Sequence, residues 1–129
     1  MAETWARLTD WKRHEEFMPL TRVSMRTPAD HVGASFVART SIGPLGFDDP
    51  MEVTVWQPPT QSRPGVCCIV KRGRVVRGGA RLTVSEAEGG SLAHWHEEAT
   101  LGFGGRALDL VNERLGKVVF GRLVDGVLR

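Results

Sequence analysis

A chain of 129 residues with 41% hydrophobic and 25% charged residues has room for one packed domain, spanning 1–129. A net charge of +2 implies no polyanionic partner, and no apolar run is long enough to cross a bilayer, so neither nucleic-acid binding nor membrane insertion is expected. The start shows no basic stretch followed by an apolar core, and Cys67 and Cys68 are neighbours that would point to opposite faces of a strand; both features fit a reduced, cytoplasmic protein without a disulfide.

The first elements read as helical. Trp5 and Leu8 stand three apart on one face of a helix over 1–8. Asp10 can cap a second short helix, which Phe17, Met18 and Pro19 end, because the residue before proline is pushed away from helical angles. Residues 27–30 form a polar connection.

Strand character begins near His31. Over 32–41, Val32, Ala34, Phe36, Ala38 and Thr40 share one face, and Gly33, Ser35, Val37, Arg39 and Ser41 the other. Gly43, Pro44 and Gly46 break this run. Met51, Val53 and Val55 then alternate with Glu52, Thr54 and Trp56 before a proline-rich turn over 58–65. Further strands are expected at 66–72, 74–85 and 92–100, with Gly73 as a tight turn or bulge and Glu88, Gly89 and Gly90 as a hairpin turn. Short turns between strands imply an antiparallel meander.

Over 106–128, Leu108, Val111, Leu115, Val119, Leu123 and Val127 recur at helical spacing, with Asp109, Asn112, Glu113, Lys117 and Arg122 mostly on the other side. Such a helix is about 35 Å long. Gly116, Gly121 and Gly126 each cost it about 1 kcal/mol, which close packing against a neighbour would offset. One apolar stripe of that length must lie on something wide. The expected class is therefore α+β, a curved antiparallel sheet wrapped around a long C-terminal helix, with two short N-terminal helices in front.

Several patterns suggest chemistry. Gly102, Gly104 and Ala107 fit a dinucleotide-binding G-x-G-x-x-A, but no second parallel strand with a ribose-binding acid follows, so the stretch reads as a loop and no cofactor is implied. His94 and His96 share a strand face with Glu98, while Trp95 and Glu97 share the opposite one. Trp95 is the large apolar member, which puts its face inside and leaves the histidines as solvated sheet residues, not metal ligands. Glu97, pointing inward, needs a partner for its charge, and Arg39 in a small, apolar stretch is the candidate. That pair would either orient a carbonyl or acidic ligand or serve as a structural ion pair. Lys71, Arg72, Arg74, Arg77 and Arg81 form a basic run without interleaved aromatics, as on a solvated sheet face. The serines have no nucleophile-elbow context.

Taken together, certain residues carry a family resemblance: Trp5-Ala6-Arg7-Leu8-Thr9-Asp10-Trp11 with Pro19; Gly33 and Phe36 with Arg39; Met51-Glu52-Val53-Thr54 followed by Trp56 and Pro58-Pro59; Gly73-Arg74-Val75-Val76 with Gly78; and Trp95 with Glu97. In this order the chain resembles the SRPBCC superfamily of helix-grip proteins, in its polyketide cyclase/dehydrase-like branch of small bacterial proteins. The resemblance implies a sheet gripping the long helix around a hydrophobic cavity that holds a lipid, polyketide or similar apolar molecule. Phe36, Arg39, Val53, Trp56, Trp95, Glu97, Val111 and Leu115 are the candidate ligand-binding residues.

The family's first strand, which lies between the equivalents of 32–41 and 91–100, is absent here. A longer native start, a partner chain in a homodimer or a cavity open on that side would account for it. Both 32–41 and 91–100 are thus expected at sheet edges or paired across a dimer. Three functional readings follow: an apolar-ligand binding module; a cyclase/dehydratase-like enzyme with Glu97 as general acid/base and Arg39 polarising a carbonyl; or a structural or interaction protein with a filled core.

Overall fold

The structure, a computed structural model, describes residues 1–28 and 30–102. Helix α1 spans Ala2–Leu8 and is followed by a 3₁₀ helix over Trp11–Glu16. Six strands come next: β1 Thr21–Met25, β2 Ser35–Ile42, β3 Leu45–Gln57, β4 Gly65–Arg72, β5 Val76–Ala87 and β6 Gly90–Leu101. Every strand pairs antiparallel with the next, so the sheet order is the chain order, β1 to β6. No helix among the described residues is long and apolar enough to cross a membrane.

This architecture corrects the helix-grip expectation. The described residues form a six-stranded meander with two short helices, and the layer that buries its apolar face comes from the N-terminal helices. The proposed helix over 106–128 lies outside the described residues. The physical reason is visible in three side chains: Trp5, Leu8 and Trp11 are 6%, 2% and 1% exposed, and together they cover Phe36, Val53, Ile69 and Leu82. The Trp11 ring stacks on Phe36 at 5.0 Å and meets Trp95 edge-on at 6.4 Å. Trp5 meets Trp56 edge-on at 5.1 Å. Aromatic pairs in these geometries add about 0.5–1.5 kcal/mol to what area burial supplies.

The short helices are placed by local bonds. Asp10 caps the 3₁₀ helix by accepting from the Arg13 N–H at 3.3 Å, as its sequence position suggests. Buried His14 bonds the Leu8 carbonyl through Nε2 at 3.0 Å, which ties this helix to the end of α1. The Thr9 hydroxyl donates to the Trp5 carbonyl at 2.8 Å.

Strand β1 was not expected from the sequence, and it changes the edges. Residues 35–42 are interior, flanked by β1 and β3; of the two strands expected at edges, β6 alone stands at a margin of the sheet among the described residues. The opposite margin, β1, is guarded. The Val23 N–H donates to Glu15 Oε2 and the Val23 carbonyl accepts from Lys12 Nζ, both at 2.9 Å, while Lys12 and Glu15 pair with each other. Those two side chains occupy backbone groups that an incoming strand would need.

A bulge in β3 also departs from the simple alternation. Val53 lies opposite Ile69, Val55 opposite Cys68 and Trp56 opposite Cys67, so the register shifts at Thr54. One extra residue turns Trp56 onto the face of Val53. Strand β3 further begins at Leu45 rather than near Met51, because Gly43 and Pro44 make a two-residue hairpin and Ile42 pairs with Leu45. Gly43 has φ 57°, which a hairpin with glycine at its first central position accommodates.

Candidate functional site

The register divides the inner face of the sheet into two halves. One half carries Phe36, Val53, Cys67, Leu82 and Val84 under α1 and the 3₁₀ helix, and it is filled. The other half follows from the pairs Ile42–Leu45, Thr40–Phe47, Ala38–Asp49, Met51–Lys71 and Ala80–Glu97. Here Ile42 is 68% and Leu45 77% exposed, and Phe47 and Met51 are half-buried.

Three charged side chains meet on this second half. Lys71 Nζ donates to Asp49 Oδ2 at 2.7 Å and lies 3.3 Å from Glu97 Oε1. The Lys71, Asp49 and Glu97 side chains are 10%, 12% and 27% exposed. The Met51 sulfur is 3.8 Å from the same ammonium. Burial alone would push the Lys71 pKa down. The charges and hydrogen bonds of Glu97 and Asp49 outweigh it, and the net shift is upward, so the ammonium stays charged. Two carboxylates against one ammonium leave the cluster with a formal charge of −1. Asp49 Oδ1 is buried and accepts no hydrogen bond among the described residues.

The expected Arg39–Glu97 pair does not form. Arg39 stands opposite Asp48, on the outer face, and bonds its carboxylate at 2.8 Å with both side chains more than half exposed. Glu97 points inward as expected, but its partner is Lys71, the first member of the basic run. Strand alternation splits that run: Lys71 turns inside, and Arg72 turns outward to Glu52 at 3.4 Å. The signal that could have found Lys71 is its place on the face of Ile69 and Cys67, where an unpaired cation is costly.

Among the other candidates, Phe36 and Val53 are core residues, 4% and 0% exposed, and Trp56 and Trp95 pack at the border of that core. Val111 and Leu115 lie outside the described residues. His94 and His96 face outward, with His96 against Glu98 at 3.3 Å. His96 and Glu98 border a shallow, open depression with Thr54, Cys68, Val70 and Arg81. Among the described residues no three His, Cys, Asp or Glu side chains gather closely enough to hold a metal ion. Cys67 and Cys68 are both free; burial and then the neighbouring Cys68 push the Cys67 thiol up to about 12, which keeps it unreactive. No protein-family model matches the chain, and no curated protein matches it.

Proposed function

We propose that the protein binds a small apolar molecule with a hydrogen-bonding head group on the half of the inner sheet face that α1 and the 3₁₀ helix do not cover. One observation carries this reading. Among the described residues, exposed Ile42 and Leu45 and half-buried Phe47 and Met51 form an apolar strip that runs into the Asp49–Lys71–Glu97 cluster on the same face. Apolar walls with a few placed polar groups are the usual composition of a small-molecule site. Glu97, the most exposed member of the cluster, is the polar group nearest to hand for a head group. The catalytic reading loses support, because Arg39 and Glu97 stand on opposite faces and cannot engage one carbonyl together.

The test is native mass spectrometry of the purified full chain, followed by solvent extraction and titration with ten-carbon acid, alcohol and amine probes. Bound apolar material, lost in Leu45→Glu with the fold intact, supports the reading. A protein that purifies empty and binds none of the probes at millimolar concentration refutes it.

A further inference from the structure

The hairpin that joins β2 and β3 reaches further than its neighbours. On one side β1 stops at the pair Thr21–Thr40; on the other, β4 last pairs with β3 at Met51–Lys71. Among the described residues, the pairs Ser41–Gly46 and Ile42–Leu45 therefore have no strand beside them. Three of the five exposed large apolar side chains among the described residues gather at this end: Leu20, Ile42 and Leu45, at 60%, 68% and 77% exposure. Leu20 is fixed beside the tip, because its carbonyl accepts from the Ser41 N–H at 3.0 Å. Its φ of 60° is rare for so bulky a residue. Pro44, between Ile42 and Leu45, is exposed as well.

Charge is sorted in the same direction. The cross-strand row of Arg72 and Arg77, and what lies beyond it toward the tip, carries Arg22, Arg39, Arg72, Arg74 and Arg77, all exposed. Two outward carboxylates stand against these five cations, Asp48 on Arg39 and Glu52 on Arg72. The inward Asp49–Lys71–Glu97 cluster subtracts one further charge. Glu98 lies one row further back, against His96, and Glu86 and Glu88 lie around the β5–β6 turn at the opposite end of the sheet. An overall charge of +2 averages over this polarity.

We propose that this end of the sheet docks on the surface of an anionic bilayer. Leu20, Ile42 and Leu45 enter the boundary between head groups and acyl chains, and the arginines around them bind lipid phosphates. Arginine suits both parts of that boundary, because its stem lies along apolar surface while the guanidinium grips a phosphate with two N–H groups. The convex shape of the tip favours a bilayer over a protein. A stable protein interface buries about 800 Å² per partner, more than one tight turn and Leu20 offer, whereas a bilayer needs no matching pocket. The contact is with a surface and is not a span. It goes beyond the ligand site, since it uses the tip and the outward arginines and leaves Asp49, Lys71 and Glu97 untouched.

The experiment is co-sedimentation of the full-length chain with vesicles of phosphatidylglycerol and phosphatidylcholine in equal parts, and with vesicles of phosphatidylcholine alone. Binding to the anionic vesicles is expected, and it should be at least tenfold weaker to the neutral ones and in roughly 0.5 M salt. Ile42→Ser combined with Leu45→Ser should weaken it at least tenfold with unchanged far-UV circular dichroism, and so should Arg74→Glu combined with Arg77→Glu. Glu97→Gln should leave it within twofold. A wild type that ignores anionic vesicles at about 1 mM lipid overturns the proposal, as does equal binding to both kinds of vesicle. Binding that either double substitution leaves intact overturns it too. Ultracentrifugation without lipid tests a second copy as the occupant: a dimer abolished by Ile42→Ser with Leu45→Ser assigns the tip to self-association and overturns docking on a bilayer. A chain that binds vesicles but none of the ten-carbon probes sustains this inference and refutes the ligand reading; a chain that binds the probes and ignores vesicles does the reverse.

Discussion

Replacing Lys71 by Met tests the ion cluster most directly. The substitution keeps an unbranched apolar stem and removes the ammonium, leaving Asp49 and Glu97 close together without a counter-charge. Removing one partner of a buried pair costs about 3–5 kcal/mol. The Asp49 contact is nearly dry and takes most of that; the Glu97 contact, with Glu97 27% exposed, is discounted for solvent screening. A loss of about 3 kcal/mol at pH 7 is expected. With a urea slope of about 1.5 kcal/mol/M, the unfolding midpoint falls by about 2 M. Asp49→Asn should cost less than Lys71→Met, and Glu97→Gln least. Lys71→Met combined with Asp49→Leu should recover part of the loss, because no uncompensated charge is then buried deeply. The pH dependence has a definite sign. The Lys71 pKa is raised in the folded state, so its stabilisation is complete below the ordinary value of 10.5 and disappears as pH rises through the folded value. Wild type should lose stability across that alkaline window, and Lys71→Met should not show this component. Urea titrations at pH 7 and above pH 10 measure both effects. A cost below 1 kcal/mol for Lys71→Met, or a greater cost for Glu97→Gln than for Asp49→Asn, would refute the account of the cluster.

Two further substitutions probe the helical layer. Burial holds the His14 pKa below its ordinary 6.5, against the opposing pull of the Leu8 carbonyl and Asp10. The unfolded chain therefore takes up a proton first, and stability should decline as pH falls from 6.5 toward the folded value. His14→Gln, which keeps a donor for the Leu8 carbonyl, should flatten that slope in thermal melts between pH 7 and pH 5. At Gly65, a Cβ would come within 2.6 Å of Trp5 Cε3 and 2.7 Å of Pro59 Cδ. Gly65→Ala is expected to cost about 2 kcal/mol through overpacking. Part of that cost should be relieved in a Trp5→Leu background, with the Pro59 contact remaining; equal costs in both backgrounds would show that Trp5 is not the obstacle.

Much of the meander was legible because period-two alternation and glycine turns survive in short strands. The hairpin at Gly89, the Asp10 cap and the inward set of Trp95 and Glu97 all follow from local pattern. Strand β1 also alternates, with Thr21 and Val23 buried and Arg22 and Ser24 exposed, but five residues of mixed polarity give too short a period to stand out beside a helix. The bulge at Thr54 left no mark in composition, so Trp56 seemed to face away from Val53. The partner of Glu97 was misassigned for a different reason. An ion pair depends on which strands are neighbours and in what register, and Lys71 reaches Glu97 only because β5 sets Gly78 and Ala80 between them, with almost no side chain to intervene. Covering layers are equally non-local: an apolar stripe states that it will be buried, not which segment buries it.

The two aromatic contacts of Trp11 have a consequence for the order of folding. Its ring contacts Phe36 on β2 and Trp95 on β6, elements that are far apart in the chain. During synthesis the covering layer leaves the ribosome first and must wait for β6 before its largest side chain meets both of these rings. Hairpins β2–β3 and β4–β5 can form from local contacts while the helices remain undocked, and loop closure over most of the described chain then governs the final step. Docking of the helices should be the slow phase, with tryptophan fluorescence changing after the sheet's far-UV signal has appeared. A refolding trace in which both signals rise together would place helix docking within the rate-limiting transition state.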